Sequence, residues 1–265
     1  MRTRRLELLR PDEILNEMRQ RSVVYLPLGP LEWHGPHLPY GTDPLYAYEM
    51  ALRIADRLGG IVHPCLFLGT ERERDPASLR NLGFSGSEWV IGMDFPNNSL
   101  PSPYIPEEVL GIVVRHLVYQ LHRMGFRHVV LVNGHGARNH VAVLRRLCGE
   151  ISAEGRGQVH YVFTFPEGAG TWSRRHHASA DETAIMKHLF PDTVNTAGLP
   201  PAGAPIRARD FAVVDEDAFE GRTLPEGHIR EDPRTATAAL GEMHFHAAVE
   251  AIVATLGSSL AAGSP

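Results

Sequence analysis

The chain has 265 residues, 43% of them hydrophobic, with 26 basic against 31 acidic side chains and a formal charge of −5. A chain of this length can bury most of its surface in one large domain or two small ones. Its mild acidity, with no run of Lys or Arg, excludes a protein that tracks nucleic-acid phosphates.

No stretch approaches the roughly 20 apolar residues of a membrane span. The basic start Met1–Arg5 leads into no apolar segment. Cys65 and Cys148 are too few for a disulfide framework. A cytoplasmic protein with neither membrane nor nucleic-acid partners is expected.

The first predicted element is a short helix from Asp12 to Arg19. Val23 to Leu28 follows as a strand without polar alternation, the pattern of a parallel sheet covered on both faces. From Pro44 to Leu58 the apolar Leu45, Tyr48, Leu52, Ala55 and Leu58 recur at helical spacing, and Gly59-Gly60 ends the run. Ile61 to Leu68 reads as the next strand. The segment 69–106 is irregular, with the charged Glu71 to Asp75 and the turn-rich Phe95 to Pro101. Compact domains rarely keep so long a loop without a use, so a lid or a subunit contact is expected there.

Helix is then predicted over Pro106 to Met124, strand over His128 to Val132, helix over Arg138 to Ser152, strand over Val159 to Phe165, and helix over Ala180 to Leu189. After a Pro/Gly-rich connection, Pro233 to Leu256 forms the last long helix, and residues 257–265 read as a flexible tail. This alternation predicts an α/β fold, a three-layer αβα sandwich with a mainly parallel sheet, in one domain over residues 1–256.

Histidine is the outlier of the composition, with 15 residues, about half of them in short clusters. Glu32-Trp33-His34-Gly35-Pro36-His37 and Thr42-Asp43 crowd carboxylates and imidazoles into a stretch that otherwise reads as strand and turn. Asn133-Gly134-His135-Gly136 repeats the theme a hundred residues later. Such groups are costly to bury unless paired, and a divalent metal pairs them together. Both knots follow predicted strands, and in open parallel sheets the binding crevice lies beyond the strands' carboxyl ends. Glu32 and His34, two residues apart in extended chain, point the same way.

The plain alternatives are definite. Asp43 can be a helix N-cap, and His37 a structural hydrogen-bonding residue. His140, His160, His188 and His228 read as ordinary histidines, and His244 and His246 face different sides of a helix.

A third cluster, Trp172 to Thr183, follows the strand that ends near Phe165. Glu182 there is either a ligand aimed back at the site or a capping-box partner of Ser179. Trp172 reads as a flap over bound substrate, against a core or interface position. Two metals bridged by one carboxylate would use this inventory. Together they can acidify a water that attacks a polarised carbonyl, while a nearby imidazole, His176 or His177, protonates the leaving nitrogen. No Gly-x-Ser-x-Gly elbow is present, neither cysteine has an activating neighbourhood, and Asn133–Gly136 lacks the Lys-Ser/Thr ending of a P-loop.

From Val23 to Thr183 the chain resembles the creatininase family, most sharply over Leu26–Asp43 and Val132–Asn139. The resemblance implies an αβα domain with two divalent ions, usually zinc or manganese and occasionally iron, and assembly into homo-oligomers, often hexamers. Carried over by position, Glu32 and His135 correspond to ligands of one metal, His34 to a ligand of the other, and Asp43 to the bridge. His177-Ala178-Ser179-Ala180-Asp181-Glu182-Thr183 is similar to the family's His-Ala-Gly-x-x-Glu-Thr. That similarity makes Glu182 the remaining ligand and His177 the catalytic histidine, while Trp172 is similar to its mobile tryptophan.

Creatininase itself has a ligating glutamate where Ala137 stands here, so a member other than true creatininase is implied. The expected function is metal-dependent opening or cleavage of a small cyclic amide or related C–N bond. Opening of a cyclic ketone or inositol-derived diketone at a C–C bond, and a non-catalytic metal-stabilised structural or interaction protein, are the alternatives.

Overall fold

The structure is a computed structural model that describes residues 2–166, 176–222 and 231–262. Its frame is a five-stranded, wholly parallel sheet. β1 (Val23–Gly29) is central, with β4 (His128–Asn133) on one side and the short β2 (Ile61–Val62) and β3 (Leu66–Phe67) on the other. β5 (Gln158–Phe163) lies outside β4.

Every residue of β1 and β4 is buried, as continuous apolar runs covered on both faces require. Alternation along the strands divides the core in two. Val23, Tyr25, Val130 and Val132 pack under α2 (Thr42–Leu58) and the C-terminal helix Ala238–Ala262. Val24, Leu26, Leu28, Val129 and Leu131 pack under α4 (Glu107–Met124) and α5 (Arg138–Ala153). The three-layer αβα sandwich follows directly from that period of two. A short α1 (Pro11–Gln20), a single short helix α3 (Pro76–Asn81) and α6 (Ala180–Leu189) complete the main elements.

Two expectations need correcting. The strand predicted over Ile61 to Leu68 is broken into β2 and β3 by His63-Pro64-Cys65. Tyr25 accepts from the His63 N–H at 2.8 Å, and Pro27, facing the same side two residues on, has no N–H to offer. Pro64 lacks one as well, so the ladder lapses there.

The second correction concerns the C-terminus. Residues 257–262 are not a flexible tail but the end of a helix that begins at Ala238, after a 3₁₀ turn at Pro233–Thr235. Leu256 and Leu260, one turn apart, are both buried on the core, and that apolar anchor carries the helix past Gly257. Among the described residues no helix is long and apolar enough to cross a membrane.

The topology also sets the position of the site. The chain leaves β1 toward β2 and β3, then returns through α4 to β4 on the other flank. The strand order therefore reverses between β1 and β4, which are in register with Leu28 beside Asn133. A crevice opens at their carboxyl ends. Glycine lets α2 close its floor: a Cβ on Gly134 would stand 2.1 Å from the Asp43 carbonyl oxygen, so only glycine permits this approach.

Candidate functional site

Glu32 and His34, in the loop after β1, are both 1% exposed. The His34 Nδ1 lies 3.1 Å from the Glu32 carbonyl oxygen and donates to it, which turns Nε2 inward. That nitrogen sits 3.2 Å from Asp43 Oδ1, 3.8 Å from Glu32 Oε2 and 3.9 Å from Glu182 Oε2.

Asp43, the second residue of α2, makes no capping bond. Its other oxygen lies 2.8 Å from His135 Nδ1, which is 3.3 Å from Glu32 Oε2. Asp43 thus faces one imidazole from each knot. The loop that delivers His135 is clamped by Asn133, whose Oδ1 accepts from the His135 N–H at 3.0 Å and whose Nδ2 donates to the His135 carbonyl at 2.6 Å.

Glu182 is in the first turn of α6, yet the capping box does not form: Ser179 makes no side-chain cap. Instead Glu182 Oε2 accepts from the Ala178 N–H at 2.6 Å, which fixes the carboxylate toward the crevice. Ala178 has φ +53°, a left-handed conformation unusual for alanine, and it turns the chain from His177 into α6.

His177 is held by reciprocal backbone bonds to Val214 and donates from Nε2 to the Trp33 carbonyl at 2.7 Å. Its Nδ1 is 3.9 Å from Glu32 Oε2, and its ring centroid is 4.2 Å from that of His34. Trp172 and His228 lie outside the described residues. His37 is buried and bonded to Thr183 Oγ1 at 3.0 Å, the structural role expected of it. His246 is exposed while His244 is buried, so that pair does split across its helix.

Three loops therefore bring Glu32, His34, Asp43, His135 and Glu182 together, in two donor sets that share Asp43. Glu32, Asp43 and His135 each offer an atom within 4.8 Å of the others, and so do His34, Asp43 and Glu182. Three buried carboxylates around two imidazoles suit divalent cations, which would pair all of them at once.

Electrostatics agree. Burial opposes charge on His34, but Asp43, Glu182 and Glu32 outweigh it and raise the imidazole to about 10. Burial raises the Glu182 carboxyl to about 8. Burial and the neighbouring His34 lower His177 to about 3, so it stands neutral.

Ligation needs neutral imidazole and ionised carboxylate. At pH 7 without a cation, His34 holds a proton that a metal must displace, and Glu182 does too. Metal uptake is thus expected to release protons, with apparent affinity rising with pH through neutrality until Glu182, at about 8, and His34, at about 10, have lost their protons. Calorimetric titration in buffers of different ionisation enthalpy measures this, and a heat independent of buffer would contradict it.

Sequence reasoning passed over three residues here. Tyr104 donates its hydroxyl to Glu32 Oε1. His140, an ordinary histidine by its sequence context, is fully buried and lies with Nε2 3.0 Å from Asn133 Oδ1, bracing the His135 loop. Glu71 places Oε1 3.9 Å from His135 Nε2, a buried nitrogen with no hydrogen-bond partner. Glu71 and Tyr104 come from the irregular segment 69–106, which forms a wall of the crevice. The signal available was a charged run inside a loop too long to be idle.

Comparison with known proteins agrees with the fold. The profile of one family, described as creatinine amidohydrolase, matches residues 7–256. A mycofactocin precursor peptide peptidase of Mycobacterium tuberculosis is 29% identical over 241 residues, 86% of this chain and 81% of that one. A creatinine amidohydrolase of Pseudomonas putida is 27% identical over 250 residues, 87% of this chain and 86% of that one. A crystal structure of creatinine amidohydrolase superimposes with a TM-score of 0.69 at 22% identity, covering 98% of this chain and 99% of that one. Others with the same fold include a creatininase in a Zn-Zn form, with a TM-score of 0.69 at 21% identity and the same coverage. The chain belongs to the creatininase family of hydrolases.

Proposed function

We propose that the chain is a binuclear metal-dependent hydrolase that cuts an amide or peptide C–N bond in a small substrate. In this reading Glu32 and His135 hold one ion, His34 and Glu182 the other, and Asp43 both. The observation that carries it is the pair of donor sets meeting at one carboxylate. Zinc or manganese fits the mixed imidazole and carboxylate donors, and solved relatives include a Zn-Zn creatininase and a manganese creatininase. Iron is the third metal with suitable ligand preferences.

When bound, such ions supply Lewis acidity, polarising the scissile carbonyl and lowering the pKa of a water. The protein's own groups do the rest. His177 keeps Nε2–H on the Trp33 carbonyl, so its neutral Nδ1 faces the crevice as the atom that takes a proton from the attacking water and then passes it to the leaving nitrogen. Glu32 is held well below the usual carboxylate range: burial opposes this, but His135 and His34 outweigh it. It is thus ionised and ready to ligate. A cavity of about 510 Å³ opens over these residues, walled by Glu71, Arg72, Arg74, Arg138, Phe163 and Phe165. That volume suits a small molecule or a short peptide end.

The names of the relatives, a peptide peptidase and an amidohydrolase, support C–N cleavage over the C–C alternative. The position of His177 beside Glu32 supports catalysis over a purely structural metal site. Ala137, where creatininase carries a glutamate, stands in the cavity wall, so creatinine is not the expected substrate.

Assembly into a homo-oligomer, a hexamer by the family resemblance, belongs to the same proposal. Val109 and Ile112, exposed neighbours on α4, offer an apolar contact.

The test is chelator-stripped protein reloaded with zinc or manganese and incubated with short peptides and cyclic amides, with new amines read by derivatisation. Metal-dependent amine release is expected. No release across the panel, or ring opening of a cyclic diketone alone, would overturn the C–N reading.

Glu71 enters as the partner of His135. A metal-ligating histidine usually gives its second N–H to a carboxylate, and losing that partner costs about 10–100-fold in metal affinity or activity. With Nδ1 committed to the metal side, His135 Nε2 has Glu71 as the acid facing it. Glu71→Gln is therefore expected to weaken metal binding within that range in competition with a chromophoric chelator. An unchanged affinity would remove Glu71 from the site.

A further inference from the structure

Behind the Glu182 carboxylate lies a second group of ligand-type side chains that the hydrolase reading does not use. His176, Asp181 and Glu231 each offer an atom within 4.8 Å of the other two. His176 is nearly sealed, with its side chain 3% exposed, and its Nδ1 has no hydrogen-bond partner. The Glu231 Oε2 is likewise buried with no hydrogen bond reaching it. Orphaned polar atoms are rare in folded proteins, and two of them on residues of one ligand-type cluster point to a missing ligand.

The surroundings define its charge. Asp181 Oδ1 lies 3.3 Å from His244 Nδ1, and Asp215 Oδ2 accepts from the Glu231 N–H at 3.4 Å, so three acidic side chains gather here. Burial, then Asp181 and Asp215, pushes the Glu231 carboxyl up to about 7, with the Ser179 side chain opposing the shift, the response of an acid lacking a counter-charge. No Lys or Arg forms an ion pair with Asp181 or Glu231 among the described residues. The segments involved are already stitched, since the Ala180 N–H donates to the Glu231 carbonyl at 3.0 Å.

We infer that His176, Asp181 and Glu231 form a separate divalent-cation site that ties the first turn of α6 to the Glu231 segment. One imidazole with carboxylate oxygens is a donor set suited to Mn²⁺. The ion would be structural: it adjoins the hydrolytic centre through Glu182, whose Oε1 is 3.8 Å from His176 Nε2, but shares no ligand with it.

The test counts manganese. Full-length protein is stripped with chelator, dialysed against Mn²⁺, freed of loose metal and measured by plasma mass spectrometry. Glu231→Gln is expected to bind one equivalent fewer than the parent, as is Asp181→Asn, with circular dichroism confirming that each is folded. Asp43→Asn, which strikes the hydrolytic centre, is expected to retain the equivalent that Glu231→Gln loses.

If both Glu231→Gln and Asp181→Asn hold as much manganese as the parent, the site does not exist and the orphaned atoms are met by water. If Asp43→Asn loses nothing while Glu231→Gln loses one equivalent, this site stands and the hydrolytic centre is misassigned. The two failures are therefore distinguishable.

Discussion

Asp43→Asn is expected to remove both catalytic ions together and to lower metal-dependent turnover by well over about 100-fold, the upper cost of losing an outer partner of a ligand. Asp43 gives one oxygen to the His34 side at 3.2 Å and the other to the His135 side at 2.8 Å. An amide keeps the shape but loses the charge and one acceptor oxygen, so neither donor set stays complete. Stability offers an independent readout. A ligand at about 100 times its Kd stabilises the native state by about 2.7 kcal/mol. For a domain of this size that corresponds to a Tm increment of roughly 5–10 °C on adding metal. The parent should show it, and the variant should show only what cations held elsewhere contribute. Because Asp43 partners two imidazoles, the metal-free proteins are compared first, and the increment is the diagnostic quantity. A variant that kept two catalytic ions and the full increment would end the bridging assignment.

Much of this was legible in the chain because the signals were local. Val23–Gly29 and His128–Asn133 are continuous apolar runs, and their burial on both faces is a direct consequence. Glu32 and His34 come from one loop and His135 from another, so placing them together required only that two strands be neighbours. What the chain did not disclose is non-local. The break at His63-Pro64-Cys65 depends on Pro27 in the adjacent strand. The helix past Gly257 depends on the core that receives Leu260.

Glu71 and Tyr104 illustrate the same limit. Neither sits in a recognisable motif, and both reach the centre only because the segment 69–106 folds its own small core against the crevice, with Leu79, Leu82, Val90, Met93 and Phe95 packed on Ala212 and Val214. Composition marked that segment as charged and irregular; only the packing shows which of its acids turns inward. Glu182 and Ser179 carry the opposite lesson. Their spacing fits a capping box, yet the nearby Ala178 N–H and the crevice take the carboxylate instead. Where a carboxylate has both a local and a distant use, spacing alone does not separate them.

His177→Ala is expected to leave metal loading intact while kcat falls by about 10²–10⁴-fold, the range for losing a general acid or base. The ring offers an atom within 4.8 Å of ligand atoms of Glu32 and His34, yet it belongs to neither donor set that shares Asp43. Its Nδ1 stands 3.9 Å from Glu32 Oε2, and its Nε2 is already committed to the Trp33 carbonyl. One nitrogen fixes the ring and the other is left for the proton. A merely structural ring would behave differently: its loss would loosen the Trp33 loop and raise KM or shed metal. The truncation leaves a space the size of an imidazole beside an open cavity, so added imidazole should restore part of kcat, with a pH dependence that follows the added base. Metal lost in proportion to activity would make His177 a ligand, and activity retained without any rescue would place the proton transfer on another group.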